Sequence, residues 1–135
     1  MSTYKLTLIT PDKELYSGEI KKFKSVNLDG QFEILPGHTR FVTITKPAAT
    51  SFTDENGEEK ILFTSTGVVE FSDNTLTFCC DAAEWPKDID TKRAENAKER
   101  AEKRINESTD VDIKRAEIAL LRALTRLDIA DKFNK

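Results

Sequence analysis

The chain has 135 residues, 38% hydrophobic and 33% charged, with a formal net charge of −3, the profile of one globular domain or of a compact domain with a small appendage. The acidic balance speaks against nucleic-acid binding, which draws its affinity from phosphate neutralisation by a basic surface. No apolar run approaches the roughly 20 residues that cross a bilayer, and Met1-Ser2-Thr3-Tyr4-Lys5 lacks a signal-peptide hydrophobic region, so the chain is expected to stay in the cytosol.

From Tyr4 to about Cys80, short β-type runs alternate with turn chemistry. Tyr4–Leu8 alternates apolar and polar as a half-buried strand does, and Pro11-Asp12-Lys13 ends it. Ile20–Leu28 is a second strand, closed by a tight hairpin at Asp29-Gly30. Phe32–Ile34, Phe41–Ile44 and Ala49–Thr53 follow, and Asn56-Gly57 is the clearest hairpin signal in the chain. Lys60–Ser65, Val68–Ser72 and Thr75–Cys80 complete the series; in the last, Leu76, Phe78 and Cys80 face one side and Thr75, Thr77 and Cys79 the other. Many short strands at this spacing predict an all-β antiparallel sandwich or barrel over residues 1–85.

The period then changes. Pro86 stops the strand and Asp88 is a helix N-cap, so a helix is expected to start there. Ala94, Ala97, Ala101 and Ile105 recur at three- or four-residue steps, a narrow stripe of small side chains on a charged helix. Asn106–Asp110 is a polar break in which Ser108, Thr109 and Asp110 are all good N-caps, and Ile113, Ala116, Leu120, Leu124 and Leu127 trace a second stripe. Residues 86–135 are therefore expected to form a C-terminal antiparallel α-helical hairpin, each helix roughly 25 to 30 Å long. So little apolar surface makes it a marginally docked element, and such elements are candidate switches.

The adjacent Cys79 and Cys80 point to opposite faces of a strand, which indicates neither a disulfide nor a metal site. His38 is the only histidine; it follows Pro36-Gly37 in a turn with no nucleophile or carboxylate motif beside it, which favours a structural or interface role over catalysis. The glycines form no phosphate loop. The remaining group is Glu84, Ile89-Asp90-Thr91-Lys92-Arg93-Ala94, Arg122 and Arg126. Arg122 and Arg126 are an i, i+4 pair, and folding the helices together could gather three guanidinium groups. Two readings of that cluster stay open: a solvated face salt-bridged to Glu95, Glu99 and Glu102, or an anion site, because guanidinium forks match phosphate oxygens.

Four stretches carry a family resemblance. They are Ile9-Thr10-Pro11-Asp12; Gly30-Gln31-Phe32-Glu33-Ile34-Leu35-Pro36-Gly37-His38; Gly67-Val68-Val69-Glu70-Phe71; and Lys114-Arg115-Ala116-Glu117-Ile118-Ala119-Leu120 with Arg122 and Arg126. In this order the chain resembles, along essentially its whole length, the epsilon subunits of bacterial F-type ATP synthases; Glu33 departs from the small residue usual there. The resemblance implies a rotor subunit with no active site of its own. Its sandwich would bind the gamma subunit and the membrane-embedded c-ring, and membrane association, at the cytoplasmic face of the bacterial cell membrane, would come only through the complex. The hairpin would leave rotation free when folded; extended into the alpha/beta catalytic hexamer, where basic helix faces suit acidic loops of the beta subunits, it would obstruct ATP hydrolysis. No cofactor is required, but Ile89, Asp90, Arg93 and Ala94, with Glu84, Arg122 and Arg126, are similar to the regulatory ATP site of some bacterial members. Two other readings compete with this one: a free-standing binding module, and a small enzyme using His38 in a deep pocket.

Overall fold

The computed structural model describes residues 2–107 and 110–134, the side chains of 110–112 apart. The chain divides into two compact units, the first ending at Glu84 and the second beginning at Trp85.

The first unit is a sandwich of nine strands: β1 (Tyr4–Ile9), β2 (Glu14–Asn27), β3 (Gly30–Ile34), β4 (Phe41–Thr45), β5 (Ala48–Asp54), β6 (Glu59–Thr64), β7 (Gly67–Ser72), β8 (Thr75–Cys80) and β9 (Ala83–Glu84). The path β1-β8-β7-β4-β2 closes on itself through the β1–β2 pairing, and β5, β6 and β9 extend from β2, with β3 pairing β2 as well. The sheet is not wholly antiparallel as expected: β1 runs parallel to β8, with Leu6 opposite Leu76 and Leu8 opposite Phe78. Strand β2 is 14 residues long, and its first half, Glu14–Glu19, was not expected as strand because Gly18 and the weak alternation there carry little β signal. Pairing with β1 supplies what local propensity does not, setting Tyr4 against Ile20 and Leu8 against Tyr16.

The core follows from the alternation. Leu6, Leu8, Ile20, Phe23, Ile34, Leu62, Phe63, Leu76 and Phe78 are fully buried. Phe23 meets Phe78 edge to face at 5.8 Å, a favoured arrangement of aromatic quadrupoles. Tyr4 is buried with its hydroxyl donating to the Ile34 carbonyl at 2.6 Å, and burial drives its phenol well above the usual range. A row of hydroxyls crosses three strands: Ser25 and Thr50 are hydrogen-bonded at 2.8 Å and Thr50 and Thr64 at 2.6 Å, all buried. Each polar oxygen thus finds a partner away from water.

The turns differ from expectation in an instructive way. Between β2 and β3 the loop is Leu28-Asp29, and only Gly30 takes positive φ, at +122°. The Asn56-Gly57 signal marks not a two-residue turn but a wider loop between Asp54 and Glu59, held by Asp54 Oδ1, which accepts from the Asn56 and Glu58 amides at 2.9 Å each. The two-residue left-handed turn lies instead between β7 and β8, where Asp73 and Asn74 have φ of +51° and +57°. Asn74 also staples three segments: its side-chain amide donates to Thr3 O at 2.9 Å, its Oδ1 accepts from Gly37 N at 3.4 Å, and its carbonyl accepts from Lys5 N at 3.4 Å.

In the second unit, a 3-10 turn at Pro86–Asp88 precedes α1 (Thr91–Glu107) and α2 (Asp110–Phe133). The helix does not begin at Asp88. Asp88 closes the 3-10 turn, Ile89 is extended with φ −73° and ψ 123°, and Asp90 becomes the cap of α1. Asn106 and Glu107 are helical rather than part of a break, while Ser108 and Thr109 lie outside the described residues. At 24 residues α2 is longer than expected, about 36 Å. The helices are antiparallel, since Asn134 at the end of α2 donates to the carbonyl of Pro86 ahead of α1. Among the described side chains, the buried residues are Ala94 and Ala101 on α1 and Ala116, Ala123, Ile129 and Ala130 on α2. The α2 stripe is therefore rotated from the expected one, and Leu124 is exposed.

Gly67 sits where β7 passes β8. A Cβ there would meet Cys79 O, and the Cα of Cys80 at 2.7 Å, both fixed by sheet pairing. Gly67→Ala should therefore destabilise the protein by about 1 to 3 kcal/mol, read as a lowered thermal midpoint; an unchanged midpoint would mean that the strands separate here at little cost.

Candidate functional site

The sequence-predicted residues fall into both units. Glu84 lies in the first, half-buried on β9 opposite Phe63. The others lie in the second. Ile89 is buried and its amide donates to Pro86 O at 3.3 Å. Asp90 Oδ1 accepts from the Arg93 amide at 3.0 Å, and Asp90 O accepts from the Ala94 amide at 3.0 Å, the geometry of an N-cap followed by the first helical bond. Ala94 is buried and Arg93 exposed. Arg122 and Arg126 are half-buried one turn apart on α2.

The hairpin sets the level of these groups. Arg93 lies 14 residues before Glu107, and 14 residues beyond Asp110 is Leu124, so in an antiparallel pair Arg93 stands at the level of α2 between Arg122 and Arg126. The fold thus brings three cationic residues to one stretch of the hairpin. The small residues Ala94 and Ala123 are buried along the same stretch.

His38 has a structural place. Its ring is edge-on to Phe41 at 5.6 Å and to Phe71 at 5.9 Å, and its Nδ1 lies 2.7 Å from Thr39 O. Among the described residues no group of His, Cys, Asp and Glu could hold a metal ion, and no helix is long and apolar enough to cross a membrane.

Sequence reasoning missed one surface. On β4 the usual polarity is inverted: Thr43 and Thr45 turn inward while Val42 and Ile44 are exposed. Ile44 lies opposite Val68 of β7, itself exposed, and Val68 lies opposite the exposed Cys79 of β8. This is an apolar row across three strands, a feature that marks contact surfaces. The signal was present in Phe41-Val42-Thr43-Ile44-Thr45, but only the strand register decides which parity faces out.

Comparison with known proteins agrees with this architecture. A family model described as ATP synthase, Delta/Epsilon chain, beta-sandwich domain matches residues 3–86, and one described as ATP synthase, Delta/Epsilon chain, long alpha-helix domain matches residues 87–131. The chain belongs to the epsilon-subunit family of bacterial F-type ATP synthases. An ATP synthase epsilon chain of Clostridium perfringens is 49% identical over 110 residues, 82% of this chain and 83% of that one. One of Clostridium botulinum is 48% identical over 126 residues, 93% of this chain and 95% of the relative. Among solved structures, a chain of the Euglena gracilis mitochondrial ATP synthase (OSCP/F1/c-ring) superposes with a TM-score of 0.80 at 20% identity, covering 93% of this chain and 79% of that one. A chain of the Tetrahymena thermophila mitochondrial enzyme (central stalk/c-ring) gives 0.69 at 14%, covering 93% and 95%. At these identities the structural matches speak for the fold.

The paired cysteines offer a direct check on the exposed face. Burial, first, and the neighbouring Cys79 and Asp81, second, push the Cys80 thiol up to about 12, so near pH 8.5 its thiolate is about a thousandfold scarcer than that of a free cysteine. A thiol reagent at that pH should label Cys79 alone in the folded protein and both cysteines in denaturant, as counted by mass spectrometry; rapid double labelling of the native chain would contradict the burial of Cys80.

Proposed function

We propose that this chain is a non-catalytic central-stalk subunit that couples c-ring rotation to the gamma subunit and restrains ATP hydrolysis through its hairpin, at the cytoplasmic face of the cell membrane and held there only by the complex. The observation that carries the reading is the inverted strand β4, whose Val42 and Ile44, with Val68, give a rigid sandwich an apolar face fitted to a permanent neighbour. Membership of the epsilon family supports gamma as that neighbour, and the titles of the structural relatives, naming central stalk and c-ring, support a rotor location. The hairpin suits a regulator because its seam is built largely of alanines, each contributing little apolar burial. Two discrete arrangements of such a pair can differ by only a few kcal/mol. When extended into the alpha/beta hexamer, the helix face that carries the arginines would meet acidic loops of the beta subunits.

The test uses the assembled enzyme. Ile44→Asp together with Val68→Asp should abolish co-purification with gamma while leaving the isolated chain folded. Truncation after Trp85 should preserve assembly and synthesis and raise ATP hydrolysis. A truncated complex as inhibited as the full one would remove the hairpin from regulation, and retained gamma binding by the double variant would move the interface elsewhere.

Regulatory ATP is the second part of the reading, favoured by the common level of Arg93, Arg122 and Arg126 on the hairpin. Guanidinium groups at one level of a helix pair suit a polyanion, because phosphate oxygens accept from such forks bidentately. Titration calorimetry should detect ATP binding to the isolated chain, with ADP as control. Arg93→Ala or Arg122→Ala should each weaken it by about 1.5 to 3 kcal/mol, the value of a charge-assisted hydrogen bond; unchanged affinity in both would abolish the site.

A further inference from the structure

We propose that Asn56 is a modification site: the Asn56-Gly57 pair is poised to cyclise and deamidate, and Asp54 holds the reaction silent for as long as the β5–β6 loop stays closed. The pair makes no two-residue turn and takes no part in the apolar face or the hairpin. Glycine puts no Cβ beside its amide, so Gly57 N meets no steric barrier in approaching the Asn56 side chain. In the reaction Gly57 N gives its proton to hydroxide or a buffer base and attacks Asn56 Cγ. The N–Cγ bond forms, the Cγ–Nδ2 bond breaks, and the nitrogen leaves as ammonia with a proton taken from water. Water then opens the cyclic imide at either carbonyl, leaving aspartate or isoaspartate at position 56. One water is consumed and one ammonia released, with no oxidant or cofactor.

Solvent access does not hold the reaction back. Asn56 and Gly57 are exposed, and nothing lies within 4 Å of a Cβ placed on Gly57. The restraint is hydrogen bonding. Gly57 N donates to Asp54 O at 3.0 Å, so the attacking nitrogen has its proton engaged and is turned toward Asp54. On either side, the Asn56 and Glu58 amides donate to Asp54 Oδ1 at 2.9 Å each, and Asp54 N donates to Glu58 O at 2.9 Å. Asp54 is itself buried and fixed at the end of β5, opposite Ile20 of β2. Cyclisation requires Gly57 N to swing away from Asp54 O, and the flanking amides resist that swing. Reaction also leaves a record. A new carboxylate at position 56 adds like charge beside Glu55 and Glu58, and isoaspartate lengthens the main chain by one carbon between the two amides that Asp54 Oδ1 holds. A loop that has opened long enough to react therefore does not close again in the same way.

The test follows deamidation at position 56 of the full chain by peptide mapping and mass spectrometry at mildly alkaline pH. Each hydrogen bond that must open is worth about fivefold in population. With the Asn56, Gly57 and Glu58 amides all bound, the native chain should react about a hundredfold more slowly than the same chain in denaturant. Asp54→Ala keeps only the bond to Asp54 O, so its native form should react only about fivefold more slowly than its denatured one. Asp54→Asn, which retains an acceptor oxygen, should restore the slow rate. Equal rates in native and denatured wild type overturn the proposal, as does a chain that forms no product at position 56 even in denaturant. A folded Asp54→Ala that reacts as slowly as wild type, or an Asp54→Asn that reacts as fast as Asp54→Ala, overturns the part given to Asp54. If Asp54→Ala does not fold, the wild-type comparison and a folded Asp54→Asn decide the question.

Discussion

The first unit depends on one strand. β2 pairs with β1 along its first half, with β3 along its second and with β5 across its middle, and it touches β4 at Asn27. Phe23 sits where these pairings overlap, opposite both Ile34 and Phe52, with its ring against Phe78. A strand with neighbours on so many sides must bend, and the register shift between Ile20 and Lys22 provides the irregularity that lets it. The exposed face of β4 and β7 inherits its rigidity from this arrangement, because β4 is fixed both through β7 and at the end of β2.

The second unit is built on the opposite economy. Its buried residues on α1 are alanines seven apart, and three more alanines at the same spacing recur on α2, joined by Ile129. Such a seam permits close approach but removes little apolar area from water per residue. The sandwich holds its shape through a continuous aromatic and aliphatic core, whereas the hairpin holds through short contacts and caps, of which the Asp90 cap and the Asn134–Pro86 bond, both at the open end of the helix pair, are the visible ones. Two kinds of packing thus share one chain of 135 residues.

Eight of the nine strands were legible because alternation and turn residues agreed, as in Thr75–Cys80, where side-chain parity matches the observed burial of Leu76, Phe78 and Cys80. What sequence could not supply was anything set by a distant partner. The parallel β1–β8 pairing joins segments some 70 residues apart, and the buried Ser25–Thr50–Thr64 row looks polar until neighbouring strands complete its hydrogen bonds. The two-residue strand β9 is too short to carry a periodic signal of its own. In the hairpin, the choice between Asp88 and Asp90 as cap turned on Ile89, an apolar residue held extended and buried so that the helix starts two residues later. The arginines were legible as a group, but their common level follows only from the observed ends of both helices.

The left-handed turn at Asp73-Asn74 bears on how this family can vary. Glycine adopts positive φ at no steric cost, so on backbone grounds alone it would suit position 74 best. Glycine there would nevertheless release Thr3 and Gly37, which the Asn74 side chain holds from two other parts of the chain. The position is thus under two demands that no other residue meets together: a backbone that tolerates the left-handed region and an amide that both donates and accepts. A hairpin tip, ordinarily the freest place in a sheet to accept insertions and substitutions, is here as constrained as the core, because the loop carrying His38 and the first strand take their position from it.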